Sequence, residues 1–395
     1  MRAYLDHAAT TPVLPQAVTA VAAELGHVGN PSSLHTAGRA ARRRVEEHRE
    51  RIAAALGARP SEVVFTASGT EADNLAVKGL YWSRSASDPR CRRVLVPAVE
   101  HHAVLDAAEW LATTQGADVQ LLPVDGLGRL DLDALDAALA HEPDRIALVS
   151  VMWANNEVGT LQPVAEVVAR AQRVGVPVHS DAVQAVGQVP VDVAASGVHA
   201  LTVSGHKLGG PPGAAALLLR PDVAVTPLLH GGGQERDVRS GTLDTAGIAG
   251  LAVAVEAAVH EQPQRRARVA ALREDLVARV ASVVPDVLVH GDPDPEGRLP
   301  GVANLGFPGC EADALLMLLD ARGVDCSTGS ACSSGVAEPS HVLLAMGCDE
   351  HEATSALRFS LGWTSTAFDV DCLVAALPEA LTRARAAGRL SLRGG

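Results

Sequence analysis

The sequence predicts an α/β fold: a mostly parallel sheet of the seven-stranded type flanked by helices, with a smaller α+β unit beside it. Two observations carry this. Short, almost wholly apolar runs alternate with helical segments through the first two-thirds of the chain, as in sheets buried on both faces. Past residue 260 or so, long helical stretches rich in Arg and Ala take over, which marks a change of unit.

The elements follow in order. Glu62–Thr66 is a short apolar strand that runs through Ala67–Thr70 into a helix opening at Glu71. Arg93–Pro97, Ile146–Val151, Val176–Asp181, Ala200–Ser204 and Ala214–Leu219 supply five more strands, and Ala165–Val174 a helix among them. Polar residues closing these runs fall at the carboxyl edge of the sheet, where such folds bind ligands. Glu261–Val284 reads as one long helix, Val302–Phe307 as a strand, Asp313–Leu319 as a helix and Cys372–Ala387 as the last helix. The expected division is a large unit over 15–258 and a small one from 1–14 and 259–395. Arg39–Arg51 mixes arginines with Glu46, Glu47 and Glu50, which predicts a solvated helix with i,i+4 ion pairs.

A chain of 395 residues, 47% hydrophobic, is long enough for substantial cores and is not disordered. Its net charge of −13 argues against non-specific nucleic-acid binding. No apolar run reaches the roughly 18 residues of a membrane helix, and Met1–His7 has no apolar signal core. A cytoplasmic protein with no membrane and no direct nucleic-acid partner is expected.

Of 33 basic residues only two are lysines, Lys78 and Lys207. Arginine replaces lysine at most solvated positions but not where a neutral amine must react, because guanidinium stays charged. Lys207 lies in Ser204-Gly205-His206-Lys207-Leu208-Gly209-Gly210-Pro211-Pro212-Gly213, directly after a strand. Glycines and prolines there fix the backbone and let a ligand approach. An ordinary lysine is neutral only about once in 2,500 at pH 7, so a nucleophilic one must be desolvated or near another positive group. Asp181 closes a strand 26 residues earlier, where a carboxylate suits a protonated pyridine nitrogen. Taken alone it is equally a helix cap. Ser68-Gly69-Thr70-Glu71 joins a strand to a helix, offering free N–H groups to a phosphate. It lacks the lysine of a P-loop and the GxGxxG spacing, which weakens a nucleotide-binding reading. His101 follows a strand end, as does Asn156, and both have structural readings as well. Arg358, between apolar neighbours, suits a carboxylate, either internal or a substrate's.

Six cysteines form no CxxC pair, and disulfides are improbable in this setting. Cys91, Cys310, Cys348 and Cys372 read as core or incidental thiols. Cys326 and Cys332 sit in Asp325-Cys326-Ser327-Thr328-Gly329-Ser330-Ala331-Cys332-Ser333-Ser334-Gly335, a run of small polar residues that reads as an exposed loop.

Together these residues resemble the fold-type I pyridoxal-phosphate enzymes of the class V aminotransferase superfamily. More narrowly they resemble cysteine desulfurases of the NifS/IscS type. The most specific pieces are Ser204-Gly205-His206-Lys207, His230-Gly231-Gly232-Gly233-Gln234-Glu235-Arg236, Arg239-Ser240-Gly241-Thr242 and Ser330-Ala331-Cys332-Ser333. The resemblance implies pyridoxal 5'-phosphate bonded to Lys207, with Asp181 on the pyridine nitrogen and His101 stacked on the ring. It places Asn156 and Gln184 near the ring hydroxyl, and Gly69, Thr70, Ser204 and His206 at the phosphate. Thr242 would reach the phosphate of a neighbouring subunit, which implies a homodimer. Arg358, with Asn156, would bind L-cysteine, and Cys332 would accept its sulfur as a persulfide, leaving L-alanine. Sulfur would then pass to acceptor proteins, such as an iron–sulfur scaffold or a tRNA-thiolating enzyme. Through that persulfide Cys332 becomes a candidate iron ligand shared with a scaffold. The cysteine loop places the chain in the long-loop group, and Cys326 is an extra thiol on it. A selenocysteine lyase, an aminotransferase of the same fold, a sulfur carrier with a dead cofactor site and a nucleotide-binding α/β protein are the rival readings.

Overall fold

The computed structural model describes residues 2–329 and 339–391. Twelve strands occur among them: β1 Ala3–Tyr4, β2 Val63–Thr66, β3 Arg93–Pro97, β4 Asp118–Leu122, β5 Ile146–Ser150, β6 Val178–Asp181, β7 Ala200–Ser204, β8 Ala215–Leu219, β9 Leu288–His290, β10 Val302–Gly306, β11 Val324–Asp325 and β12 Ala356–Ser360. Seven of them build the main sheet, in the order β2-β8-β7-β6-β5-β3-β4. The pairs from β4 through to β7 are parallel, whereas β8 runs antiparallel to both β7 and β2. β2 therefore points the same way as the parallel strands. Every turn that carries a candidate site residue after β2, β3, β5, β6 and β7 emerges at one edge.

β2, β3, β5, β6, β7 and β8 are buried throughout, which is why they read as unbroken apolar runs. The sequence reading missed β4. It is an edge strand in which only Leu122 is buried, so it shows neither a continuous run nor clean alternation.

The second correction concerns the long helix. It spans Thr245–Val283, 39 residues with Pro263 inside, and so starts well before Glu261. Its first part, Ala246–Ala252, is buried on every side, so no 3.6-residue pattern marks it as helical. The division expected at 258/259 falls within this helix. One apolar core lies along the main sheet; another gathers Ala3 and Leu5 with Val269, Leu276, Phe307, Leu315, Phe359 and Leu373. β9, β10 and β12 form a three-stranded antiparallel sheet over that second core, and β1 pairs with β11.

The segment read as a solvated helix lies within Thr36–Ala55. Arg43 and Glu47 pair on its surface as expected. Arg49 does not: it is buried and forks onto the fully buried Glu235 at 2.7 and 2.8 Å. Glu235 also accepts the N–H of Phe65 on β2. The His230–Arg236 motif is thus anchored to that helix through a buried ion pair and to the sheet through the Phe65 N–H. No helix among the described residues is long and apolar enough to cross a membrane.

Candidate active site

A cavity of about 400 Å³ opens at the carboxyl edge of the main sheet. Gly69, Thr70, His101, Asn156, Asp181, Gln184, Ser204, His206, Lys207 and Arg358 all line it. Ten candidates scattered over nearly 300 positions of the sequence are therefore brought to one place.

Lys207 ends the tight turn Gly205–Lys207 after β7. The turn is held because Gly209 takes a left-handed φ of +87°, where any Cβ would meet Leu14 Cγ at 2.7 Å. Lys207 Nζ donates to the carbonyls of Ala8 and Ala9 at 2.6 and 2.7 Å. Burial, reinforced by the nearby Arg358 guanidinium, lowers its pKa to about 8. The amine is thereby brought towards the neutral form that a nucleophile needs.

Asp181 is buried at the end of β6, and its Oδ1 accepts the N–H of Val183 at 2.8 Å. Burial pushes its carboxyl up, against the pull of His101, that N–H and Lys207. Behind it lies a group the sequence reading did not find. His179, fully buried, shares hydrogen bonds with Ser150 Oγ at 2.8 Å and Thr202 Oγ1 at 3.0 Å. Burial takes its pKa down to about 3, so the ring is neutral. Asp73 Oδ1 lies 3.5 Å from the same ring, and burial with the Asp181 charge drives the Asp73 carboxyl well up. The signal was present in His179-Ser180-Asp181: polar residues inside an apolar strand. Only tertiary packing brings Asp73 to them.

Ser68 caps the helix Gly69–Ser87, its Oγ accepting from Glu71 N–H at 3.1 Å. Gly69 and Thr70, in the first turn of that helix, line the cavity, and a helix N-terminus is a favourable seat for an anion. A Cβ on Gly69 would come within 3.2 Å of Val183 Cγ2 and 3.4 Å of Ser204 Cβ, so the packing there is tight even around glycine. His206 Nδ1 is 3.3 Å from Thr10 Oγ1, and burial, then Lys207, lowers its pKa to about 4. His101 caps the next helix, its Nδ1 accepting from Ala103 N–H, and burial lowers its pKa. Gln184 Nε2 donates to the carbonyl of Ala8 at 2.9 Å.

Arg358, on β12, is buried. Nη1 donates to the Asn156 carbonyl at 3.0 Å and Nη2 to Asp6 Oδ1 at 2.9 Å. Its Nε has no hydrogen-bond partner among the described residues. It carries an internal ion pair and also lines the cavity. Asp6, absent from the sequence candidates, belongs to the site through this pair. Thr242 stands apart: it is exposed and lines a separate cavity of about 60 Å³. Lys78 packs its Nζ 4.4 Å over the Trp110 ring, away from the cavity.

Cys332 and its neighbours 330–338 lie outside the described residues. The expectation that Cys326 sits on an exposed loop is corrected. It follows β11 against the second core, and burial pushes its thiol up to about 12. The backbone of Ser327 exchanges hydrogen bonds with that of Arg358, which ties this part of the loop to β12.

The aminotransferase class-V family model matches residues 3–373. The chain is 58% identical to the IscS-like cysteine desulfurase of Mycobacterium tuberculosis over 385 residues, covering 98% of each chain. It is 42% identical to the cysteine desulfurase NifS of Azotobacter vinelandii, covering 97% of this chain and 93% of that one. Among solved structures, a NifS-like protein superposes with a TM-score of 0.88 at 34% identity, over 97% of this chain and all of the other. SspA in complex with cysteine superposes with a TM-score of 0.77 at 31% identity, over 92% and 99% of the two chains. With the cavity at the sheet edge and the family model spanning nearly the whole chain, this protein belongs to the class-V aminotransferase family.

Proposed function

We propose that the protein is a pyridoxal 5'-phosphate-dependent cysteine desulfurase that converts L-cysteine to L-alanine and passes the sulfur on as a persulfide of Cys332. The observation that carries this reading is the desolvated amine of Lys207 in one cavity with the buried Asp181 carboxylate and the Arg358 guanidinium.

The cavity suits that cofactor on the chemistry of its walls. Lys207 would hold the aldehyde carbon and Asp181 the pyridine nitrogen. Gly69, Thr70, Ser204 and His206 would hold the phosphate, and the close packing at Gly69 keeps that corner free of a side chain. His101, Asn156 and Gln184, which line the same cavity, would complete the walls around the ring. When bound, the cofactor supplies an electron sink for bonds broken at the substrate's carbons.

The chain's own residues do the rest. Arg358, with Asn156 beside it, binds and orients the substrate carboxylate. Lys207 Nζ moves the proton at the substrate's Cα. The Cys332 thiolate attacks the substrate sulfur, and the carbon–sulfur bond breaks with its electron pair left on carbon. A proton then completes alanine, and the persulfide stays on Cys332. Acceptor proteins, such as an iron–sulfur scaffold or a tRNA-thiolating enzyme, take the sulfur in the cytoplasm. At a scaffold the persulfide sulfur of Cys332 would also ligate iron. Thr242, exposed and outside the cavity, would serve the phosphate of a second subunit in a homodimer. The division into 15–258 and 1–14 with 259–395 belongs to the same reading.

Lys207→Arg tests it. The visible absorbance of the purified protein and the release of alanine from cysteine without a keto acid should both be lost, with the melting temperature little changed. Turnover by the Arg variant would overturn the proposal.

A further inference from the structure

His290, Cys348 and Glu352 come together outside the cavity, where β9 ends beside the helix Glu350–Thr354. One imidazole nitrogen, the Cys348 Sγ and one Glu352 carboxylate oxygen all lie within 4.8 Å of one another. The imidazole is only 8% exposed. Its orientation is set from two sides. Asn304 Oδ1 is 2.7 Å from Nδ1. The ring also lies against Gly306, where a Cβ would stand 2.9 Å from Cε1.

The hydrogen bonds fix the tautomer. Asn304 Nδ2 donates to the Glu157 carbonyl at 3.4 Å, so its Oδ1 faces the ring and Nδ1 must carry the proton. Nε2 is the ring nitrogen left to face the cluster, and Glu352 Oε1 lies 3.0 Å from it. The Cys348 thiol beside them makes the set nitrogen, sulfur and oxygen, the donors that hold zinc-like cations. A histidine whose second nitrogen donates to a fixed oxygen is also how metal-binding imidazoles are held.

We propose that His290 Nε2, Cys348 Sγ and Glu352 form a three-ligand site for a divalent cation of the zinc class, with water in the fourth position. The proposal is independent of the function argued above. No redox change is involved. The cation replaces the thiol proton of Cys348, and any proton shared by His290 and Glu352, and these leave to solvent with the displaced waters. The proton it must displace is firmly held, since burial and Glu352 push the Cys348 thiol up to about 11.

The location gives the site a connection. Asn304 pairs with His290 on one side and Arg358 on the other, so all three share a sheet face. Asn304 also grips the carbonyl of Glu157, next in sequence to the Asn156 carbonyl that holds Arg358. A cation at His290 would stiffen this ladder two strand spacings, about 10 Å, from the substrate arginine.

The test uses metal-stripped protein carrying its cofactor, dialysed against Zn²⁺ and analysed for bound metal, with Co²⁺ visible bands as a second probe. Wild type and Cys332→Ser should each bind one ion per chain and show tetrahedral cobalt bands. Cys348→Ala and the partly exposed Glu352→Gln should bind more than about tenfold more weakly, since even the outer partners of metal ligands are worth 10–100-fold. Zn²⁺ should raise the melting temperature of wild type but not of those two variants, whose metal-free melting should match wild type. No saturable uptake by wild type, equal uptake by Cys348→Ala, or loss of uptake in Cys332→Ser would each overturn the proposal.

Discussion

The rear of the cavity, at the ends of β6 and β7, and its front, made by residues 6–10 and β12, handle charge differently. At the rear, Asp181, Asp73 and His179 are buried, and neither carboxylate has a lysine or arginine ion pair among the described residues. Burial is the first cause of each shift, and the Asp181 charge adds to it at Asp73. At the front, each cation has a ready partner: Lys207 on the Ala8 and Ala9 carbonyls, Arg358 on Asp6. The rear is a standing field waiting for a positive group, and the front is a set of contacts that an incoming molecule must replace or share. Preorganised charge favours chemistry, and exchangeable charge favours binding.

Four experiments separate these roles. Asp181→Asn removes the rear charge while keeping its shape. Turnover should fall on the order of 10²–10³-fold, the usual worth of a preorganised electrostatic group, with KM for cysteine changed far less. Steady-state alanine release checks this, and a loss confined to KM would place Asp181 among the binding contacts.

The second concerns the pH at which cofactor-free protein captures pyridoxal phosphate. Lys207 has its pKa lowered to about 8, so the capturing neutral form fades as pH falls below that value. Between pH 8 and pH 6 the neutral fraction drops about fiftyfold, and the rise of cofactor absorbance should slow accordingly. A free lysine derivative, whose neutral fraction falls about a hundredfold over the same range and goes on rising above pH 8, is the control. A rate that keeps climbing about tenfold per pH unit between pH 8 and pH 10 would show that the amine is not tuned.

Arg358→Lys keeps the charge but loses the planar fork. Losing one charged hydrogen bond, worth about 1.5 kcal/mol, should raise KM about tenfold, with kcat less affected. An equal fall in kcat would move Arg358 into the chemical step. Asp6→Asn should have the smallest effect, a rise in KM of a few-fold as Arg358 loses its anchor. A lower KM would instead show that Asp6 competes with the substrate carboxylate.

The same contrast explains what the sequence revealed. The motif-bearing turns were legible because each follows a buried strand, and β3 and β7 stand at the residues read for them. The scarcity of lysine singled out Lys207. Asp73 was invisible because it sits on the helix Gly69–Ser87 like any polar helix residue, and only packing against β6 and β7 gives it neighbours. Asp6 was missed for a similar reason: its partner lies 352 positions away. Arg49 misled because charge patterning cannot tell a solvated arginine from one aimed at a buried glutamate. Cys326 misled because composition alone says nothing of the core its loop begins against.

The 39-residue helix Thr245–Val283 is a mechanical element as well as a packing one. Near its start Leu251 packs beside Gly205, under the turn that holds Lys207. Further on, Arg273 Nε donates to the carbonyl of Val302, whose strand partner is Ser360, two residues from Arg358. Pro263 lies between these two attachments, and a proline removes one rung of the helical ladder and eases bending there. From Pro263 to Arg273 the axis covers about 15 Å. A change of about 5° in the bend would therefore carry the Arg273 end through about 1.3 Å. The helix thus runs from the turn that carries the amine to the sheet that carries the guanidinium, with Pro263 between its two attachments.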